Sequence, residues 1–202
     1  MPRTIKKTVY KFDELDERAK DKARESFRTK DYWIDQGDIN MISDDLKEYL
    51  EEQGFPNADV SWSVGYCQGD YAAFKSEINL DRVVERLLDS FDLEVLKNCT
   101  DAENGFGLRE FNVSVDYGGR RESSRLSFEY DDYELWVVVE RDGVTYNVAE
   151  KLEAALESEI ERLTSELYDR ARSEIDYKYS DEYVDECLIA NDYEFEEDGT
   201  PC

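Results

Sequence analysis

An apolar stripe near the end of the chain constrains the fold more than any other feature. Leu152, Leu156, Ile160, Leu163, Leu167, Ala171 and Ile175 recur at spacings of three and four. That period puts all seven on one face of an α-helix. The stripe predicts one continuous helix over about residues 149–177. Such a helix draws most of its stability from packing, so other parts of the chain must cover its apolar face.

Those parts alternate between two periods. Leu15, Ala19, Ala23 and Phe27 repeat every four residues, a helix for which Asp13 is the expected N-cap and Asp16 lies in the first turn. Ile39, Ile42, Leu46 and Leu50 mark a second helix near residues 39–53, stopped by Gly54 and Pro56. The period then changes to two: Val60, Trp62, Val64 and Tyr66 alternate with polar residues. A Gln68-Gly69-Asp70 turn leads into a hairpin partner starting at Tyr71, and Asn79 caps a third helix carrying Val83, Val84, Leu87, Leu88 and Phe91.

The polar segment 97–107 reads as a loop, followed by a β meander. Its strands hold Phe111, Val113 and Val115, then Leu126, Phe128 and Tyr130, then the buried-looking run Glu134-Leu135-Trp136-Val137-Val138-Val139-Glu140; its turns are Gly118-Gly119 and Asp142-Gly143. Residues 4–12 read as an opening strand. Ser180 caps a last helix with Val184 and Leu188, and residues 191–202 form an acidic tail, either a strand or a loose end. The expected architecture is one α+β domain over 1–202: an antiparallel β-sheet with helices packed on it and one long C-terminal helix.

Charge narrows the function. The chain has 51 acidic and 25 basic residues, a net charge of −26, and no histidine. Such a field repels nucleic acid and membrane surfaces and attracts basic proteins. The imbalance is uneven. Residues 1–30 hold ten bases against six acids, whereas residues 181–202 hold nine acids and no base. The basic segment is expected to neutralise acidic neighbours within the fold or to form helix pairs such as Glu14–Arg18.

Without histidine, Ser-His and Cys-His nucleophilic chemistry is excluded. No phosphate-binding glycine motif is present. Cys67, Cys99, Cys187 and Cys202 are widely separated and form no C-x-x-C pair, so the expectation is free thiols in a reducing cytosol and no metal or other cofactor. Asp181, Glu182, Asp185 and Glu186 have helical spacing, not that of a calcium loop. No apolar run is long enough to span a bilayer, and the N-terminus lacks the apolar core of a signal peptide.

Three stretches resemble a family of uncharacterised bacteriophage and prophage proteins. The first is Tyr10-Lys11-Phe12-Asp13-Glu14-Leu15 with Arg18-Ala19-Lys20-Asp21-Lys22-Ala23-Arg24. The second is Ser61-Trp62-Ser63-Val64-Gly65-Tyr66-Cys67-Gln68-Gly69-Asp70-Tyr71-Ala72-Ala73-Phe74. The third runs from Ser180-Asp181-Glu182 through Ala190-Asn191-Asp192-Tyr193-Glu194-Phe195 to Asp198-Gly199. Tyr71 stands where that family usually has glycine. Arg120-Arg121-Glu122-Ser123-Ser124 replaces a segment that holds histidine in many relatives. The resemblance implies a phage origin and a host-cell cytoplasm; some similar proteins are labelled antitoxin.

The resulting expectation is a non-enzymatic phage protein that binds and inhibits a basic or DNA-binding host protein, such as a defence protein, by DNA mimicry. The candidate contacts are Glu153, Glu157 and Glu161 on the long helix, Asp181, Glu182, Asp185 and Glu186 near the C-terminus, and Trp62, Gln68 and Asp70 at the hairpin. One alternative is an antitoxin-like or accessory protein whose acidity reflects solubility or high-salt adaptation. Another is an enzyme with a carboxylate-based site.

Overall fold

The computed structural model describes residues 7–29, 33–65, 67–94, 112–118, 122–129, 138–141 and 144–202. It is an α+β fold of antiparallel sheets with helices packed on them, including the long C-terminal helix. The expected loop at 97–107, Tyr66, Cys99, Phe111, Tyr130, Glu134, Leu135, Trp136, Val137 and the Asp142-Gly143 turn lie outside the described residues.

The sequence reading treats 1–202 as one domain; within it the chain gathers into two compact units, Met1–Met41 with Arg172–Cys202, and Ile42–Ala171. The division falls inside two helices, α2 (Gln36–Glu52) and α4 (Val148–Lys178).

The Ile42–Ala171 unit holds a four-stranded sheet in the order β2 (Asp59–Ser63), β3 (Tyr71–Glu77), β4 (Asn112–Tyr117), β5 (Ser124–Glu129). A separate hairpin pairs β6 (Val138–Arg141) with β7 (Val144–Asn147). Strand β3 is central, and Ala72, Ala73 and Phe74 are all buried. Consecutive buried residues point to opposite faces, so both faces of β3 are covered there; this explains its unbroken apolar run. Trp62 lies opposite Ala72 in the ladder, a large residue beside a small one. The Phe74 backbone has an unusual partner: its N–H donates to Ser124 Oγ at 2.7 Å, and the same hydroxyl donates to Phe74 O at 2.9 Å.

Helix α3 (Leu80–Leu87) begins at Asn79, whose side chain accepts from Arg82 N–H. Helix α2 ends in a left-handed turn at Gly54, φ 95°. Gly54 N–H reaches Glu51 O at 3.0 Å and Phe55 N–H reaches Leu50 O at 2.9 Å, the paired bonds that satisfy a helix C-terminus. Leu152, Leu156, Ile160, Leu163, Leu167 and Ala171 of α4 are buried, each leucine contributing about 2 kcal/mol.

The other unit brings the chain ends together. Strand β1 (Tyr10–Lys11) pairs antiparallel with β8 (Glu194–Phe195). Helix α1 (Glu17–Arg28) and helix α5 (Asp181–Ala190) bury Ala19, Ala23, Phe27, Val184 and Leu188 with Phe12, Leu15 and Phe195. One expectation is corrected here and one open alternative is decided. Residues 12–14 form a separate 3-10 turn, so the N-cap of α1 is Asp16, accepting from Ala19 N–H at 2.8 Å, and not Asp13. Residues 191–202, expected as a strand or a loose end, contain strand β8, with Phe195 buried and Pro201 bridging back to it. In α2, Ile39 falls off the buried stripe, which runs Ile42, Leu46, Tyr49, Leu50.

Candidate partner-binding surface

Ion pairs inside the chain-end unit decide which acids remain for a partner. Lys7 meets Glu196 at 2.6 Å, Lys22 meets Asp198 at 2.6 Å, and Lys11 meets both Asp192 and Glu194. Arg24 grips Asp185 with two parallel bonds, Nε to Oδ1 and Nη2 to Oδ2, each 2.7 Å. Arg28 pairs with Asp181. These contacts leave their mark on ionisation. The hydrogen bond from Arg28 holds the Asp181 carboxyl below its ordinary range, and Lys22 with Thr200 does the same to Asp198. Glu14, expected to pair with Arg18, instead accepts from the Lys11 N–H at 2.8 Å.

The candidate acids therefore divide. Asp181 and Asp185 are engaged within the fold. Glu182 and Glu186 are exposed on α5, with no ion pair among the described residues. Glu153, Glu157 and Glu161 are likewise exposed and unpaired, at i, i+4 and i+8 along α4, which aligns them in one row. Neighbouring charges on α4 behave differently. Glu159 is buried, held by Arg86 at 2.7 Å and Arg162 at 2.8 Å. Glu166 takes Arg162 at 2.6 Å and Arg170 at 3.2 Å. Its carboxyl is held low by the Tyr49 hydroxyl first, then by Arg170 and Arg162. The Arg170 guanidinium sits 3.8 Å from the centre of the Tyr49 ring.

At the hairpin, Asp70 organises the turn. Its Oδ1 accepts from Gly65 N–H at 2.8 Å, its Oδ2 accepts from Cys67 N–H at 3.3 Å, and the Tyr168 hydroxyl lies 3.5 Å away. Gln68 is exposed at the tip. Trp62 is half-buried, and its indole N–H donates to Ser43 Oγ at 3.0 Å. Of the three hairpin candidates, only Gln68 presents its side chain without a described contact; Asp70 and Trp62 hold the fold.

Two further side chains carry weight in the chain-end unit. Lys178 is buried, its Nζ 2.6 Å from Asp38 Oδ1 and 4.9 Å from the centre of the Tyr183 ring. Its backbone oxygen accepts from the Trp33 indole at 3.1 Å. Burial is the largest single influence on Asp38 and would push it up, but the hydrogen bond and charge of Lys178 together with the Asp35 backbone N–H outweigh it and hold the carboxyl low. Sequence periodicity does not single out this pair, because Lys178 ends an acidic helix and Asp38 lies in the first turn of another.

Catalysis by a raised carboxylic acid needs a carboxyl pushed upward. Among the described residues, every carboxylate with a displaced pKa is displaced downward by cationic or hydroxyl partners. A depression of about 490 Å³ is lined by Asp16, Arg18, Ala19, Lys22, Glu197 and Asp198, with Lys22 and Asp198 bonded to each other across it. Among the described residues no group of three or more Cys, Asp or Glu is placed to hold a metal ion. Cys67, Cys187 and Cys202 are free thiols. No described helix is long and apolar enough to cross a membrane.

Fold and surface together define an acidic α+β protein in which most bases among the described residues are taken up by internal ion pairs, while Glu153, Glu157 and Glu161 on α4 and Glu182 and Glu186 on α5 stay exposed. No known protein family, curated protein or solved structure matches the chain.

Proposed function

We propose that this chain is a non-enzymatic binding protein that engages a basic, DNA-binding protein of a host cell and inhibits it by occupying its DNA surface. The observation that carries this reading is the Glu153–Glu157–Glu161 row, exposed and unpaired among the described residues while adjacent carboxylates are neutralised. The row spaces its charges by about 6 Å along the helix, four residues at 1.5 Å each. One strand of duplex DNA places a phosphate every ~3.4 Å. The helix thus matches roughly every second phosphate, enough to meet a lysine or arginine track but not to copy the duplex. The resemblance to phage proteins supplies the host as the source of the partner.

The test is affinity capture from bacterial lysate by the tagged chain, with Glu153→Gln/Glu157→Gln/Glu161→Gln as the matched control and duplex DNA as competitor. Support is a DNA-binding protein that is displaced by duplex and lost with the triple variant. Capture indifferent to both, or no specific capture, favours the alternative in which acidity serves solubility or high salt.

A further inference from the structure

Helix α5 has three faces, and two are spoken for. Val184 and Leu188 enter the core, while Asp181 and Asp185 are taken by Arg28 and Arg24. The third face carries Glu182, Glu186 and Ile189 at i, i+4 and i+7, all exposed. Ile189 is 58% exposed, more than any other large hydrophobic among the described residues.

Tyr177, at the end of α4, stands against helix α5. Its ring lies 5.3 Å from that of Tyr183, next to Glu182 in the chain, and it is 45% exposed. Partial desolvation, then the carboxylates of Glu186 and Glu182, push its phenol above the ordinary value. The patch combines two unpaired carboxylates with an aliphatic side chain and an aromatic ring.

We infer that the Tyr177–Glu182–Glu186–Ile189 face docks a basic amphipathic segment of a partner protein, whose arginines or lysines meet the two glutamates and whose apolar residues cover Ile189 and Tyr177. Charge complementarity selects this occupant. A second copy, net −26, is repelled, and five of its basic chain-end residues, Lys7, Lys11, Lys22, Arg24 and Arg28, are already paired. Nucleic acid and anionic lipid carry the wrong sign. The tyrosine ring adds a surface on which a guanidinium stacks. This inference rests on the reading of the chain as an acidic binding protein and states the partner chemistry for one of its faces.

The experiment is a fluorescence-anisotropy titration of the full chain into a labelled helical peptide with arginine and leucine on one face. The control peptide has the same charge and serine in place of leucine. The amphipathic peptide is expected to bind about tenfold tighter than the control, and Ile189→Ser and Glu182→Gln/Glu186→Gln each to lose about tenfold. Asp45→Asn/Glu48→Gln on α2, which removes two exposed acids outside either proposed surface, is expected to bind as the parent does. All these sites are exposed, and far-UV circular dichroism checks that the helices persist. Equal binding of the two peptides, no binding, equal loss in the α2 variant, or a dimer dissolved by Ile189→Ser overturns the inference. Lysate capture that duplex DNA fails to displace, with peptide discrimination intact, overturns the mimicry reading alone. Displaceable capture without peptide discrimination overturns this face alone.

Discussion

Gly199 packs against the backbone of Ala19, so closely that a Cβ built on the glycine would stand 2.0 Å from the Ala19 carbonyl oxygen. Gly199 also has φ 83°, in the region that side chains disfavour. It closes the turn in which Gly199 N–H donates to Glu196 O and Asp198 accepts from Thr200. Gly199→Ala is therefore expected to destabilise the protein by at least about 2 kcal/mol, through crowding and backbone strain together. Chemical denaturation followed by tryptophan fluorescence measures it. An unchanged midpoint would mean that this turn does not sit on α1.

Lys178→Met should cost about 3 kcal/mol, because it leaves Asp38 partly buried with its charged partner gone. Asp38→Asn in the same background should recover part of the loss, since the stranded charge is then removed. A thermal-melt double-mutant cycle checks the coupling, and strict additivity would contradict the ion pair.

Arg24→Ala and Lys7→Ala separate a built ion pair from a solvated one. Arg24 is 12% exposed, bidentate to Asp185, and 5.6 Å from the centre of the Phe12 ring. Its loss should cost about 1–2 kcal/mol. Lys7 is half-exposed, with Glu196 and Cys202 as its partners in open solvent, and its removal should leave the melting temperature unchanged.

Ser124→Ala removes the hydroxyl that serves both the N–H and the carbonyl of buried Phe74. About 1–3 kcal/mol of stability should be lost, with faster amide exchange at Phe74. Ser124→Thr keeps the hydroxyl and should retain most of the stability; exchange at Phe74 discriminates the two.

Stability should fall in acid. Asp38, Asp181 and Asp198 all have carboxyls held below the ordinary value in the folded chain. The unfolded chain then binds protons more readily, so the stabilisation is full above the unfolded aspartate value of about 3.9 and is lost as pH drops through the folded values. Lys178 acts in the opposite direction: Asp38 and Tyr183 raise its pKa despite burial. Its contribution is complete below about pH 10.4 and is lost as pH rises through the folded value. Thermal midpoints across this range should show a plateau between the two limbs; a midpoint that rises on acidification would contradict the Asp38 and Asp181 pairings.

Much of the local structure was legible. The α4 stripe, the Asn79 and Ser180 caps and the Gly54 stop depend on residues within a few positions of each other. The start of α1 is less legible, because Asp13 and Asp16 are both cap-type residues and it is Asp16 whose carboxylate reaches the Ala19 N–H. Ile39 was placed on the core side by spacing alone, yet it is 37% exposed. The acidic site was half legible: exposure of Glu153, Glu157 and Glu161 follows from helical period, whereas the Ile189 patch is signalled only by an apolar residue off the buried stripe.

By itself the sequence determined the helices, their caps, the β pattern and a large excess of carboxylates, because these depend on short-range periodicity and composition. Tertiary structure decided which carboxylates are spent and which are free. Asp185 and Glu186 are adjacent and chemically alike, but of these two it is Asp185 that Arg24, 161 residues away, grips. The same long-range closure decided between a strand and a loose end for the last acidic residues, placing β8 beside β1. Ion pairing depends on distance through space, and only the folded chain sets that distance between its two ends.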